Sequence, residues 1–274
     1  MSDELVRFAD WISPVPPVER EVVSRLVEGQ SEQPPLLFVA GPGLGAWAFA
    51  ERWLGHAASR GFPSYALTPR DHGDLRAHVH DVVQVAASLP RQAVLIGHGT
   101  GALVVTQALG RYPAKGAVLA APVLSTWGTI GTALRTNPFG TIPAVFGGRL
   151  RLNRRQLFSA ALPVEEADRY LARMTSERPL RPPRKTMAPR TRLAPSKRLA
   201  PRIRPVGDPP VLVIGSPDDR VVSRKSLEKA ATSYGGAPLL FPGMGHDLML
   251  DAGWAEPIDA ILDWLTKELS ATSQ

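Results

Sequence analysis

The sequence predicts an α/β protein with a doubly wound, mostly parallel sheet and a helical or irregular lid insertion. Short apolar runs alternate with amphipathic helical stretches along most of the chain, which is the pattern of parallel strands buried on both faces. The chain has 274 residues, 44% of them hydrophobic, and is therefore long enough for a full core. We expect a single domain over residues 1–274, with ligands bound beyond the carboxyl ends of the strands.

The first half of the chain alternates strand and helix without interruption. Residues 36–40 form an apolar run between Pro35 and Gly41, which indicates a fully buried strand. Gly61 and Pro90 mark the ends of the first two helices, because glycine and proline commonly terminate them. The predicted order is strand 36–40, helix 46–60, strand 64–67, helix 79–89, strand 93–96, helix 102–109 and strand 116–121.

The alternation stops after residue 123, so residues 124–205 are predicted to be the lid insertion. Only helix 163–177 is predicted within it, with acids in the first turn and Arg173 in the last, which suits the helix dipole. The alternation then resumes. Its last elements are strand 211–214, helix 223–233, strand 238–241 and helix 256–269.

The net charge of +7 comes from one segment of the insertion. Residues 178–204 contain ten Lys or Arg and no acid, and without them acids outnumber bases by three. The segment is rich in proline and has no aromatic residue, so it is predicted to be extended or disordered. A solvated loop is the simplest interpretation. The alternative is weak, salt-sensitive contact with a polyanion, whereas specific nucleic-acid binding is not expected.

The composition also bears on the compartment. The chain has no cysteine, so disulfides and thiolate metal sites are excluded. No stretch approaches the roughly 18 apolar residues that a membrane span requires, and the first residues lack the apolar core of a signal peptide. We therefore expect a cytoplasmic protein that is not transmembrane.

Three segments at the carboxyl ends of predicted strands contain residues suited to catalysis. Residues 97–101 read GHGTG between a buried strand and a helix, the setting of a nucleophile elbow. Residues 211–222 read VLVIGSPDDRVV and residues 241–246 read FPGMGH. Together they resemble the nucleophile, acid and histidine loops of α/β-hydrolases, in the family's order. The resemblance covers residues 36–123 and 209–269, although the family's N-terminal strands are not evident.

The resemblance assigns roles to individual residues. Asp219 matches the triad acid, with Asp218 as the neighbouring alternative, and His246 matches the general base. The family's serine position is Gly99. Thr100 matches the residue whose backbone N–H donates to the oxyanion, and its hydroxyl lies one place late for a nucleophile. The alternative is that Asp219 and His246 have only a structural role in their loops.

The second oxyanion donor of the family follows its first conserved strand. In this chain that loop begins Gly41-Pro42, and proline has no N–H to donate. A shift of one residue would let Gly43 or Leu44 donate instead. Two other residues are expected near a substrate. For His98 a role in packing and hydrogen bonding is favoured over substrate contact, and for Trp127 a place in the core is as well supported as a place in the pocket. The predicted substrate contacts are therefore Gly41, Pro42, Gly43, Leu44, His98 and Trp127.

Metal and cofactor sites are not expected. His78 and His80 are two residues apart at a helix start and therefore diverge, and His72 lies outside that helix. The loop at 41–45 shares only glycine content with phosphate-binding loops. Trp47, Trp53 and Trp264 have helical spacing and are predicted to lie in the core.

These residues lead to one functional expectation with two alternatives. We expect an α/β-hydrolase-type protein, hydrolase or lyase, acting on a small ester, lactone or other carbonyl compound without forming an acyl-enzyme, because Gly99 has no nucleophile. The first alternative is a catalytically silent homologue that binds a ligand or a partner. The second is an ordinary hydrolase whose serine was changed to glycine to trap substrate.

Overall fold

A seven-stranded sheet with helices on both faces makes up the part of the chain that the computed structural model describes. The described residues are 18–41, 43–68, 70, 74–124, 132, 135, 137–139, 152–176 and 204–272. The strands are β1 (Val22–Arg25), β2 (Leu36–Val39), β3 (Ser64–Leu67), β4 (Val94–His98), β5 (Gly116–Ala120), β6 (Val211–Gly215) and β7 (Leu239–Leu240). The helices are α1 (Trp47–Ala50), α2 (Trp53–Ser59), α3 (Leu75–Ser88), α4 (Thr100–Ala108), α5 (Arg154–Leu157), α6 (Val164–Ser176), α7 (Arg224–Thr232) and α8 (Ala255–Thr272).

The sheet is doubly wound and mostly parallel, as the sequence predicts. Its strand order is β1-β3-β2-β4-β5-β6-β7, and only β1 runs antiparallel to its neighbour β3. The order reverses between β2 and β4, the point where such sheets bind ligands. Because β2, β4, β6 and β7 are all parallel, the loops that follow them meet at one edge of the sheet.

The core lies on both faces of the sheet because successive strand residues point to opposite sides. On one face Phe38 and Ile96 pack with Trp53, and α1, α2 and α8 cover them. On the other face Leu37 and Leu95 pack against α3, α4 and α7. All five side chains are fully buried. The apolar runs are therefore buried on both sides, as expected for parallel strands.

Most predicted elements are present, with three differences in the first half of the chain. The predicted helix 46–60 is two helices, because the backbone of Arg52 leaves the helical region (φ −137°, ψ −59°). Helix α3 begins four residues earlier than predicted, since Asp74 caps it by accepting a hydrogen bond from Ala77 N at 2.9 Å. Strand β1 was not predicted from the sequence. Its residues are mostly exposed, so it lacks the apolar run of the other strands.

The insertion contains a second helix that the sequence analysis missed. Helix α5 starts at a capping box in which Asn153 and Gln156 bond each other's backbone N–H groups. The predicted helix 163–177 is present as α6, and α5 is an additional element that the sequence did not indicate. The reason is that capping, and not hydrophobic periodicity, defines this short helix. Most of the insertion, including residues 178–203 of the basic segment, lies outside the described residues.

The three tryptophans predicted to lie in the core are placed as follows. Trp47 and Trp53 are buried, and Trp264 is half-buried against the same core. Among the helices that the structure describes, none is long and apolar enough to cross a membrane.

Candidate active site at the carboxyl edge of the sheet

The segment 97–101 forms a tight turn from β4 into α4. Gly99 occupies the turn with φ 57° and ψ −121°, a backbone conformation that L side chains rarely adopt. Gly97 and Gly101 flank it where neighbouring backbone leaves no room. A Cβ built on Gly97 would lie 2.6 Å from Ala102 Cα, and one built on Gly101 would overlap the carbonyl oxygen of Val39. The glycines therefore allow the helix to start directly at the sheet edge.

The turn directs position 99 toward the histidine loop. A Cβ built on Gly99 would lie 3.5 Å from His246 Nε2, and apart from the adjacent residues no other atom of the described ranges lies within 4 Å of it. A side chain at this position would therefore project toward the imidazole. This is the relation that a nucleophile requires with its base.

His246 and Asp219 form a buried hydrogen-bonded pair. His246 Nδ1 lies 2.8 Å from Asp219 Oδ2. The other oxygen of this carboxylate accepts hydrogen bonds from Val221 N at 2.6 Å and Val222 N at 3.0 Å. An ionised carboxylate only accepts, so the proton of the neutral imidazole is on Nδ1. The lone pair of Nε2 is then available on the side that faces Gly99.

The surroundings of this pair set its electrostatics. Burial alone would lower the pKa of His246, but the charge and hydrogen bond of Asp219 outweigh burial and raise that pKa above its ordinary value. The imidazole is therefore a stronger base than a free histidine and accepts a proton readily.

Asp218, the alternative acid, has a different partner. Its Oδ2 accepts a hydrogen bond from Gly243 N at 2.7 Å, at the start of the histidine loop. Asp218 is exposed, whereas Asp219 is buried beside the ring. The geometry therefore pairs Asp219 with His246, and Asp218 stabilises the loop that presents the histidine.

The insertion holds the histidine loop from the other side. Asp247 N donates at 3.0 Å to the carbonyl oxygen of Leu157, the last residue of α5. The carboxylate of Asp251 accepts from Ser159 N at 2.9 Å, Ser159 Oγ at 2.6 Å and Gly245 N at 2.6 Å. The sequence analysis missed Asp251 and Ser159. No motif marks them, since the two residues are 92 positions apart.

His98 lies beneath the site. It is 1% exposed, and its Nε2 donates to the carbonyl oxygen of His246 at 3.0 Å. Burial is the main cause that lowers the pKa of His98 to about 3, so it is neutral at physiological pH. The two imidazole rings lie 4.9 Å apart. The burial of His98 and its hydrogen bond agree with the favoured interpretation, in which the residue serves packing. Its contact with a substrate stays a prediction.

Asp247 is a carboxyl group buried beside His98. It is 1% exposed, and within the described part of the chain neither oxygen has a hydrogen-bond partner, although Oδ1 lies 3.6 Å from His98 Nε2. Its ligand atoms lie within 4.8 Å of those of His98 and His246, but both histidines already use a ring nitrogen in hydrogen bonds. Burial raises the pKa of Asp247 to about 7. Protonation of the carboxyl group therefore relieves most of the cost of burying it.

This leads to a prediction for Asp247→Asn. The raised pKa means that the folded state keeps a proton that the unfolded state loses between about pH 4 and pH 7, so the wild type loses stability as pH rises through this range. The amide does not titrate. We expect the stability of the variant relative to wild type to increase by about 2 kcal/mol between pH 5 and pH 8, measured by urea denaturation. Asp218→Asn, which removes an exposed charge, serves as the control. A relative stability of Asp247→Asn that is independent of pH would contradict the prediction.

In the loop after β2, one of the predicted oxyanion donors is already hydrogen-bonded. Leu44 N donates to Gly41 O at 3.1 Å, and its donation to an oxyanion stays a prediction. Gly43 has a φ of 105°. Pro42 and Trp127 lie outside the described residues, so their predicted contacts stay predictions. Thr100 begins α4, and the first N–H groups of a helix have no intrahelical acceptor.

Comparisons with known proteins agree with the fold. The model of the Alpha/beta hydrolase family matches residues 36–263. An esterase from Rhodococcus sp. ECU1013 shares 21% identity, with 89% of this chain and 94% of that chain covered and a TM-score of 0.64. A monoglyceride lipase from Saccharomyces cerevisiae shares 13% identity, with coverage of 93% and 96% and a TM-score of 0.63.

A third solved structure is an enol-lactonase from Burkholderia xenovorans LB400. It shares 15% identity, with coverage of 92% and 97% and a TM-score of 0.58. At such identities the likeness concerns the fold. No curated protein matches the sequence. The family match covers most of the chain and includes the elbow, acid and histidine loops described above. The chain belongs to the alpha/beta hydrolase family.

Proposed function

We propose that this protein hydrolyses a small ester, lactone or related carbonyl compound by direct attack of water, with His246 as the general base. The observation that carries the proposal is the pair formed by His246 and Asp219, whose free Nε2 faces the open side of Gly99. A base held in one tautomer beside an open position needs only a substrate carbonyl and a water molecule.

The proposal takes Gly99 as the residue in the family's serine position. Its φ and ψ and its distance from His246 Nε2 support this assignment. Glycine has no hydroxyl, so no covalent acyl-enzyme can form there. Thr100 does not replace the serine, because its hydroxyl lies against Gly41 on the other side of the turn. We therefore place a water molecule, and no side chain, as the nucleophile.

The reaction balances without a cofactor. Nε2 of His246 takes a proton from water as the water oxygen attacks the carbonyl carbon, and the imidazolium is stabilised by Asp219. The N–H of Thr100 donates to the oxyanion of the tetrahedral intermediate. The bond from carbon to the leaving oxygen then breaks, and that oxygen takes the proton from Nε2. The products are a carboxylic acid and an alcohol, or a hydroxy acid from a lactone.

The names of the structural relatives support the proposed substrate class. They are an esterase, a monoglyceride lipase and an enol-lactonase, and all three names denote an ester or lactone bond. We carry over only this bond type. The identity of the acyl and alcohol groups depends on the proposed lid at 124–205, most of which lies outside the described residues.

The test is hydrolysis of p-nitrophenyl acetate and butyrate by the wild type and by His246→Gln. We expect slow turnover by the wild type that falls about 100-fold in the variant, because the amide is not a base. The wild-type rate should rise with pH as His246 loses its proton, with a midpoint above the ordinary pKa of histidine. Equal rates for the two proteins would reject the proposal.

A silent homologue that binds a ligand is the second candidate. It is favoured by the loop after β2, where Leu44 N–H is already bonded and Pro42 has no N–H. A site that lacks part of its oxyanion donors would bind a carbonyl compound without accelerating its hydrolysis much. Ligand binding that His246→Gln leaves unchanged, together with no hydrolysis by the wild type, would support this second candidate.

The basic segment 178–204 has a separate proposed role in weak polyanion contact. Ten like charges without an acid attract anionic surfaces in a salt-sensitive way. Deletion of residues 178–204 should abolish retention on vesicles containing phosphatidylserine at low salt. Unchanged retention of the deleted protein would end this proposal.

A further inference from the structure

We propose that the hydroxyl of Thr100 is an additional oxyanion donor, which compensates for the N–H that Pro42 lacks. The inference rests on the proposed function. The proposed function uses only the backbone N–H of Thr100. The inference adds a catalytic contact made by the side chain of the same residue.

The site has few backbone donors. An oxyanion site normally has at least two donors, and one of them is the N–H of Thr100 at the start of α4. The usual second donor would come from the loop after β2. In this loop proline occupies position 42 and Leu44 N donates to Gly41 O at 3.1 Å. Of positions 42 to 44 only Gly43 then keeps an N–H for the oxyanion, and a hydroxyl close to Thr100 N would add a donor to this reduced set.

The side chain of Thr100 lies next to the loop after β2. A Cβ built on Gly41 would overlap Thr100 Oγ1 and would lie 3.3 Å from Thr100 N. The hydroxyl and the backbone N–H of Thr100 thus lie on the same side of the turn, facing the loop after β2. Only the absence of a side chain at Gly41 leaves room for this hydroxyl.

The hydroxyl of Thr100 is free to donate. Among the residues that the structure describes, Thr100 Oγ1 has no hydrogen-bond partner, although other threonines such as Thr106 and Thr266 bond a carbonyl of their own helix. Thr100 as a whole is half-buried. A hydroxyl proton rotates to suit its acceptor. It can therefore turn toward an oxyanion bound at the N–H of the same residue.

The activity test uses the Gly99→Ser background, in which hydrolysis is expected to be fast. Thr100→Val keeps the shape of the side chain and removes the hydroxyl. We expect kcat for p-nitrophenyl butyrate to fall about 100-fold with little change in KM, because an oxyanion is present only in the transition state. Thr100→Ser should retain most of the activity. A kcat unchanged by Thr100→Val would overturn the inference.

A binding test decides the inference independently of turnover. Butylphosphonate carries tetrahedral anionic oxygens, and its affinity for the wild type and for Thr100→Val is measured by calorimetry. We expect about tenfold weaker binding by the variant, and melting temperatures equal within error establish that both proteins are folded. Equal affinities, or no binding by either protein, would overturn the role of the hydroxyl. Equal rates of ester hydrolysis by the wild type and His246→Gln, with this difference in affinity retained, would instead reject only the proposed hydrolysis.

Discussion

Gly99→Ser is expected to increase ester hydrolysis at least about 1000-fold over the wild type. Removal of a serine nucleophile from a hydrolase of this type costs a factor on this scale or larger, so its introduction should recover a similar factor. A Cβ at position 99 lies 3.5 Å from His246 Nε2, and the hydroxyl beyond it comes within hydrogen-bonding reach of that nitrogen. The measurement is kcat/KM for p-nitrophenyl butyrate.

Gly99→Ala is the matched control for this prediction. At position 99 the turn would hold alanine in the same unfavourable backbone conformation (φ 57°) as serine, but alanine supplies no nucleophile. Both variants should lose about 1–3 kcal/mol of stability, and only the serine variant should gain activity. The gain should disappear in the double variant Gly99→Ser with His246→Ala.

Two outcomes give opposite interpretations of the site. A strong, His246-dependent gain would mean that the base, the acid and the oxyanion donors are functional, which is also expected if serine had been changed to glycine in this sequence. No gain in a folded variant would mean that the oxyanion site fails as well. The silent homologue would then be the favoured function.

Gly101→Ala is expected to have the largest effect on stability. A Cβ at this position would overlap Val39 O and would lie 2.9 Å from both the carbonyl carbon and the carbonyl oxygen of Ala40. These are backbone atoms at the end of β2 and cannot move aside without disturbing the sheet. We expect a loss of about 3 kcal/mol, seen as a fall in melting temperature on the order of 10 °C.

Gly55→Ala is the control for this effect. Gly55 is exposed within α2, and a Cβ built on it would meet nothing within 4 Å. Alanine favours the helix over glycine, so this variant should gain about 0.5–1 kcal/mol. Similar melting temperatures for Gly101→Ala and the wild type would show that α4 can move away from β2, contrary to the close packing inferred here.

Elements with strong local signals were predictable from sequence. Strands β2, β3 and β4 have apolar runs, and their predicted bounds agree with the structure to within two residues at each end. Strand β1 has no such run because it lies exposed at an edge of the sheet. Helix α5 depends on the side-chain caps of Asn153 and Gln156, which hydrophobic periodicity does not detect.

The candidate site was predictable in part for the same reason. Its main residues follow strands of a parallel sheet, so the order of the GHGTG, acid and histidine segments was enough to expect that they would meet. The sequence did not distinguish securely between Asp218 and Asp219. The structure does so through one distance, 2.8 Å from Asp219 Oδ2 to His246 Nδ1.

The sequence by itself determined the doubly wound sheet, the glycine at the turn, and the histidine and acid at the sheet edge, because these depend on local pattern and on strand order. Only the tertiary structure decided how the site is supported. The contacts of Asp251 with Ser159, of His98 with His246 O, and of Thr100 Oγ1 with Gly41 join segments that are distant in sequence. Such contacts arise when packed elements bring single atoms together, and no spacing along the chain records them.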